Sequence, residues 1–311
     1  GFQVQTRTDD PVPYAQALVD NPYVGTWASA SSANTARRIY DNQAGTTTSA
    51  LVFSGYTTTH IGNTESWNGS SWTEVNDLNT ARYAGAGFGA DNTSALTAGG
   101  YPSNVLTETW NGTSWTEVND MNTARQVGGG AGTVTAGLWI GGEPKPTHAQ
   151  VESWDGTNWT EVGDLNNGRY FNSAAGTSTA AITNGGNDPA GSPGTFYSFV
   201  EIWDGSSWTE TTDFNTARSG VGTSGSTTDS IIFGGYTPPN SPVTQTEAWN
   251  GSSWTEVNDM GTARRSISGG AGTGSLAITA LGQTPGVGPG VTAVAEEWAF
   301  TGLDPSSTPA A

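Results

Sequence analysis

The stretch "WNGSSWTEVNDLNTAR", Trp67 to Arg82, returns along the chain in near-copies. Aligned on the tryptophans, the pairs fall at 67/72, 110/115, 154/159, 203/208 and 249/254, always five residues apart. An arginine stands ten residues after the second Trp of each pair, at Arg82, Arg125, Arg169, Arg218 and Arg264. A sixth unit forms only when the two ends of the chain are combined: Trp27 lies ten residues before Arg37, and the partner Trp it lacks is matched by Trp298 in "AEEWAF". A strict internal period of this length is the signature of a repeat architecture, and this array is expected to close on itself.

Between each Arg and the next Trp pair sits an apolar stretch ending in glycine: "ALVFSG", "ALTAGG", "GLWIGG", "AAITNGG", "SIIFGG" and "LAITALG". These stretches read as short buried strands. Each unit carries four strand signals: one after the Arg, one ending at the glycines, one at "TETW" and one at "SWTEV", with the turn "NGSS" joining the last two. Four strands in about 45 residues make a propeller blade.

The order of Trp, Arg ten residues on, buried strand, glycine pair and next Trp resembles the kelch repeat over residues 24 to 300. That resemblance implies an all-β, six-bladed kelch-like β-propeller, closed by an N-terminal outer strand that completes the C-terminal blade. Two units depart from the glycine pair, with Ser54 before Gly55 and Leu281 before Gly282. The "WD" pairs at Trp154-Asp155 and Trp203-Asp204 align with Trp-Asn elsewhere and open a turn, so they are no WD40 signature. "SWDGTNWTE" is one residue short of the Asp-box turn of sialidases.

Composition narrows the functions. The 311 residues include thirteen Trp, no Cys and two His, with 28 acids against ten bases and a net charge of −18. Such a charge repels nucleic acid and anionic membrane surfaces. No apolar run approaches the roughly 20 residues needed to cross a bilayer, so membrane insertion is not expected. Without Cys there is no disulfide framework or thiolate nucleophile. The two histidines have no paired nucleophile or metal-ligand cluster in the sequence, so no cofactor, metal or enzymatic activity is expected.

Identical spacing in every unit marks Trp27, Trp72, Trp115, Trp159, Trp208 and Trp254 as packing elements rather than carbohydrate platforms. By the same reasoning Arg37, Arg82, Arg125, Arg169, Arg218 and Arg264 are structural, bound to backbone or to acids such as Asp77, Asp120, Asp164, Asp213 and Asp259, five residues before each Arg. The alternative is a guanidinium ring around the axis that captures an anion. Trp27, as the closing residue, is expected to be worth roughly 3–5 kcal/mol.

Length variation is confined to the segment between the last glycine and the next Trp, which runs 12, 10, 12, 17, 14 and 16 residues. These loops join second and third strands, so they emerge on one face. They collect Tyr56, His60, Tyr101, Glu143, Lys145, His148, Asn187, Asp188, Phe196, Tyr197 and Tyr236. A rigid scaffold with variable loops on one face is the design of a binding surface.

Residues 1–23 are polar and carry three prolines, which suits an extended arm able to dock on another subunit; residues 301–311 read as a flexible tail. The arm followed by "GTW" and the repeated motif is similar to kelch-like proteins encoded by marine bacteriophages. That resemblance implies a virion protein, in tail, fibre or capsid decoration, with self or other virion subunits and a host protein or glycan as partners. A secreted or cell-surface glycan-binding or filament-forming propeller is the alternative, and a sialidase-like glycosidase the third reading.

Overall fold

A computed structural model describes residues 25–144, 146–187, 195–238, 241–267, 269–285 and 290–300. The proposed arm and tail, Lys145 and Asp188 lie outside them. The described chain is a six-bladed β-propeller: six four-stranded antiparallel sheets, with no α-helix among the described residues. The first blade runs outward from the axis as Gln43–Thr46, Ser49–Phe53, Thr64–Trp67 and Trp72–Val75. The next four repeat this order within 86–118, 129–161, 173–210 and 222–257.

Strand chemistry follows position. The second strand of each blade is covered on both faces by neighbouring blades, so it reads as a continuous apolar run: Ala50, Leu51, Val52 and Phe53 are fully buried. The outer strand has one dry face, so "WTEV" places a buried Trp72 before two exposed polar residues.

The sixth blade is built from both ends of the chain. Ala271–Gly272, Leu276–Ala280 and Ala295–Phe300 come from the C-terminal side, and Gly25–Ala30 pairs antiparallel with the last of these as the outer strand. Trp27 lies directly opposite Trp298 in that register. Closure removes the free sheet edges that an open array would expose. A second seal lies nearer the axis, where the last residue of each glycine pair donates its N–H to the carbonyl of the next blade's repeat arginine. The bonds Gly55→Arg82, Gly100→Arg125, Gly142→Arg169, Gly186→Arg218, Gly235→Arg264 and Gly282→Arg37 run from 2.8 to 3.0 Å and form a complete ring.

This ring explains the glycine pair. Its first residue takes a left-handed φ of 59–67° at Gly99, Gly141, Gly185 and Gly234. A Cβ at these four positions would come within 2.5–2.8 Å of the next arginine's carbonyl. The two departures read in the sequence, Ser54 and Leu281, adopt the same left-handed φ, 63° and 67°. Closing the ring imposes the conformation whatever the residue, at a penalty of about 1–2 kcal/mol for a side chain.

The tryptophans join blades. The pair of one blade packs on the blade before it, as Trp110 and Trp115 do on Leu51, Phe53 and Leu78. The first Trp of each pair donates its indole N–H to the inner hairpin turn of its own blade, as Trp67 does to the Thr47 carbonyl at 2.7 Å. The second Trp reaches into the preceding blade: Trp115, Trp159 and Trp27 donate to the hydroxyls of Thr64, Thr107 and Thr246, each at 3.0 Å. Where the corresponding residue is Ala295 or Val151, the indoles of Trp72 and Trp208 have no acceptor. Trp254, facing Val200, donates to the Thr212 carbonyl instead.

Trp27 is only partly buried, edge-on to Phe233 at 4.9 Å and tilted against Trp298 at 5.7 Å. Its partial exposure lowers the expectation from the sequence: Trp27→Ala is expected to cost about 2–3 kcal/mol in a denaturant titration. A loss below about 1 kcal/mol would show that the closing strand contributes little.

Candidate functional site

The six repeat arginines are buried, with at most 1% exposure, and each is paired to a glutamate: Arg37–Glu65, Arg82–Glu108, Arg125–Glu152, Arg169–Glu201, Arg218–Glu247 and Arg264–Glu296. The sequence expectation of aspartate partners five residues upstream is corrected here. The acid is the one two residues before the first Trp of the unit, and it sits on the third strand of the blade the arginine introduces. The rest of the "NTAR" motif converges on the same carboxylate. Glu108 accepts from the Asn79 N–H and amide, each at 2.8 Å, from the Thr80 N–H at 3.4 Å and from Arg82 Nη1 at 2.8 Å. Burial pulls all six guanidiniums below their ordinary pKa, against the opposing pull of the partner glutamate, and Arg264 falls to about 10.

With these cations committed, the mouth of the axis on the loop face stands out. The residue after each repeat arginine forms a β-bridge with the residue after each glycine pair: Arg38 with Tyr56, Tyr83 with Tyr101, Gln126 with Glu143, Tyr170 with Asn187, Ser219 with Tyr236 and Arg265 with Gln283. These six bridges ring the axis at one end, and all of their side chains but those of Ser219 and Tyr236 are at least partly exposed there. Arg38, Tyr83, Tyr170 and Arg265 were missed in the sequence reading; the signal was a variable position immediately after an invariant one.

One sector of the rim is aromatic and cationic. The Arg38 guanidinium lies 4.5 Å from the Tyr56 ring centre and 5.5 Å from that of Tyr83. His60 stacks on Tyr83 at 5.2 Å and meets Tyr101 edge-on at 5.2 Å. Tyr101 is the most exposed of these, at 46%. Arg265, from the adjacent sixth blade, lies over Tyr236 at 4.8 Å and donates to the Gln283 amide oxygen. Among the described residues neither Arg38 nor Arg265 is in an ion pair. Cation-over-ring geometry leaves guanidinium N–H groups for an acceptor and presents ring faces for stacking.

The other expected loop residues are placed differently. Tyr56, His60 and Tyr101 are brought together. Tyr236 is buried beneath Arg265 and Phe196, and burial raises its pKa. His148 is 7% exposed, 5.5 Å from Tyr170, and its carbonyl accepts the Arg169 N–H, so it packs within the fold. Tyr197 stacks on Phe199 at 4.5 Å with the Arg169 guanidinium 5.8 Å away. Glu143 is half-buried beside Gln126, and desolvation pushes its carboxyl up. Among the described residues no group of three or more His, Cys, Asp or Glu could hold a metal ion.

Below the rim the axis is closed. Tyr40 and Phe171, from the first and fourth blades, stack at 5.3 Å with 21° between their planes. Beneath them Asp41 crosses the axis. Its carboxylate accepts from Gly130 N–H at 2.8 Å and the Ser173 hydroxyl at 3.1 Å, with Ala174 N–H a further donor. No family model matches this sequence, and no curated protein matches it.

Proposed function

We propose that the protein is a non-enzymatic, kelch-like virion component of a bacteriophage, an appendage or decoration whose loop face contacts the host surface. The carrying observation is the placement of Arg38 and Arg265. Of ten basic residues on a chain of net charge −18, six are locked to glutamates, and Arg7 and Lys145 lie outside the described residues. The two remaining cations lie over rings at the same end of the axis, Arg38 over Tyr56 and Tyr83 and Arg265 over Tyr236. Such a spot selects a partner bearing carboxylates among flat apolar faces, as acidic surface polysaccharides do. The acidic remainder of the molecule disfavours non-specific adhesion to the same polymers. The same rim supports the second reading, a secreted glycan binder, and the virion context separates the two.

The test is retention on immobilised acidic and neutral polysaccharides, with immunogold labelling of phage particles. Wild type is expected to be retained on an acidic matrix, and Arg38→Ala/Arg265→Ala to bind at least tenfold more weakly with an unchanged unfolding midpoint. Equal retention of both proteins would refute the rim as the contact surface; unlabelled particles would refute the virion assignment. Release of sugars from any glycan tested would turn the reading toward an enzyme.

A further inference from the structure

The inner strands surround a channel of about 120 Å³ that runs from Asp41 toward the hairpin turns on the face opposite the rim. Its wall is mostly glycine and alanine backbone, so few side chains reach it: Asp41, Gln43, Phe88 and Thr223. At the rim end, Tyr40 and Phe171 seal it, leaving only about 10 Å³ on the far side of Asp41, room for one water at most. The channel is therefore a blind pocket with a carboxylate at its closed end.

Two features of that end point to a ligand. Asp41 is 7% exposed and breaks the repeat, since the positions four residues after the other repeat arginines are Ala86, Gly129, Ser173, Gly222 and Ser268. Among the described residues no cation lies in the channel wall, and a carboxylate offers about four acceptor positions against the three donors that Asp41 receives from them. Gln43 is 6% exposed and donates its amide to the Ile278 carbonyl at 2.9 Å, which leaves its Oε1 buried with no partner. Gln43 thus brings a buried acceptor without a donor to the pocket, and Asp41 brings a carboxylate whose donors leave about one acceptor position open, an arrangement native interiors rarely leave unanswered.

We infer that this channel binds a primary ammonium group on a short unbranched stem, which enters from the hairpin face and donates to the Asp41 carboxylate and Gln43 Oε1. About 120 Å³ is room for several waters, since about 10–15 Å³ of such space holds one, and it accommodates a three-carbon amine. A divalent metal fits poorly, because calcium takes about six to eight oxygen ligands and both Asp41 oxygens already face hydrogen-bond donors. Desolvation holds the Asp41 carboxyl at about 7, consistent with a site that lacks a neighbouring positive charge. The inference is independent of the rim.

The experiment is calorimetric titration of the full chain with n-propylammonium chloride at pH 8 and fixed ionic strength, with tetramethylammonium chloride as the size control. Saturable binding of propylammonium and none of tetramethylammonium is expected. Asp41→Asn is expected to weaken binding at least tenfold and Gln43→Met at least threefold. The Gln43 variant decides the matter if Asp41→Asn does not fold. Absence of saturable binding to wild type, or equal affinity in the channel variants that fold, overturns the inference.

Discussion

Glu108→Gln is expected to destabilise the folded chain by about 3–5 kcal/mol, the range for removing one partner of a buried ion pair. The substitution is nearly isosteric, so the loss is electrostatic rather than steric. Glu108 is fully buried and gathers the Asn79 and Thr80 donors together with Arg82. Arg82 has no second ion-pair partner among the described residues, Glu117 and Asp120 acting on it only through the weaker field of more distant charges, and its Nε and Nη2 already lack acceptors. Glutamine keeps one acceptor oxygen but leaves the guanidinium charge uncompensated in a dry environment. Removing that charge as well, in Arg82→Met/Glu108→Gln, is expected to recover more than half of the loss. Denaturant titrations of the two singles and the double give the coupling directly; a double mutant no more stable than Glu108→Gln contradicts the account. Glu296→Gln in the closing blade is expected to cost about 1 kcal/mol less, because Gly261 there replaces the asparagine and only its N–H joins Arg264 on the carboxylate.

The arithmetic of Trp and Arg positions was enough to read blade number and ring closure, because each is a nearest-neighbour constraint repeated in every unit. The identity of the arginine partner was harder to read. Aspartates stand five residues before five of the six arginines, with Ser32 in that place before Arg37, and glutamates stand 26–32 residues after all six; only the fold decides which one the guanidinium meets. A sharper reading was open: Glu65, Glu108, Glu152, Glu201, Glu247 and Glu296 each precede a Trp by two residues, on the strand face that the Trp shows to be buried. The loop residues divided for a different reason. Tyr56, His60 and Tyr101 share a rim sector because their loops are short. His148 was drawn inward by the 3₁₀ turn Thr147–Ala149, which sequence spacing does not reveal. Asp41 was legible in principle, as an acid at a position that is Ala, Gly or Ser in the other five units.

Asp41 also carries the second large prediction, a pH dependence opposite to that of most buried carboxylates. Desolvation raises its folded pKa to about 7 from an ordinary 3.8, and the hydrogen bonds from Gly130, Ser173 and Ala174 only partly oppose this. A raised acid favours the protonated form in the fold, so its stabilising contribution is complete below the unfolded pKa and is lost as pH rises through the folded one. The window is about three pH units, or about 4 kcal/mol in all, of which about 3 kcal/mol falls between pH 5 and pH 8. Asp41 and Tyr40 are the titratable groups lining the axis among the described residues, and comparison with Asp41→Asn subtracts whatever Tyr40 contributes. The unfolding free energy of wild type relative to Asp41→Asn is therefore expected to fall by about 3 kcal/mol from pH 5 to pH 8, in buffers free of amines. The variant loses an acceptor for Gly130 or Ser173 at every pH, which displaces the difference without tilting it. A difference constant to within about 1 kcal/mol across the window would mean that water entering the channel solvates the carboxylate, and that the axis is wetter than its narrow, backbone-lined wall implies.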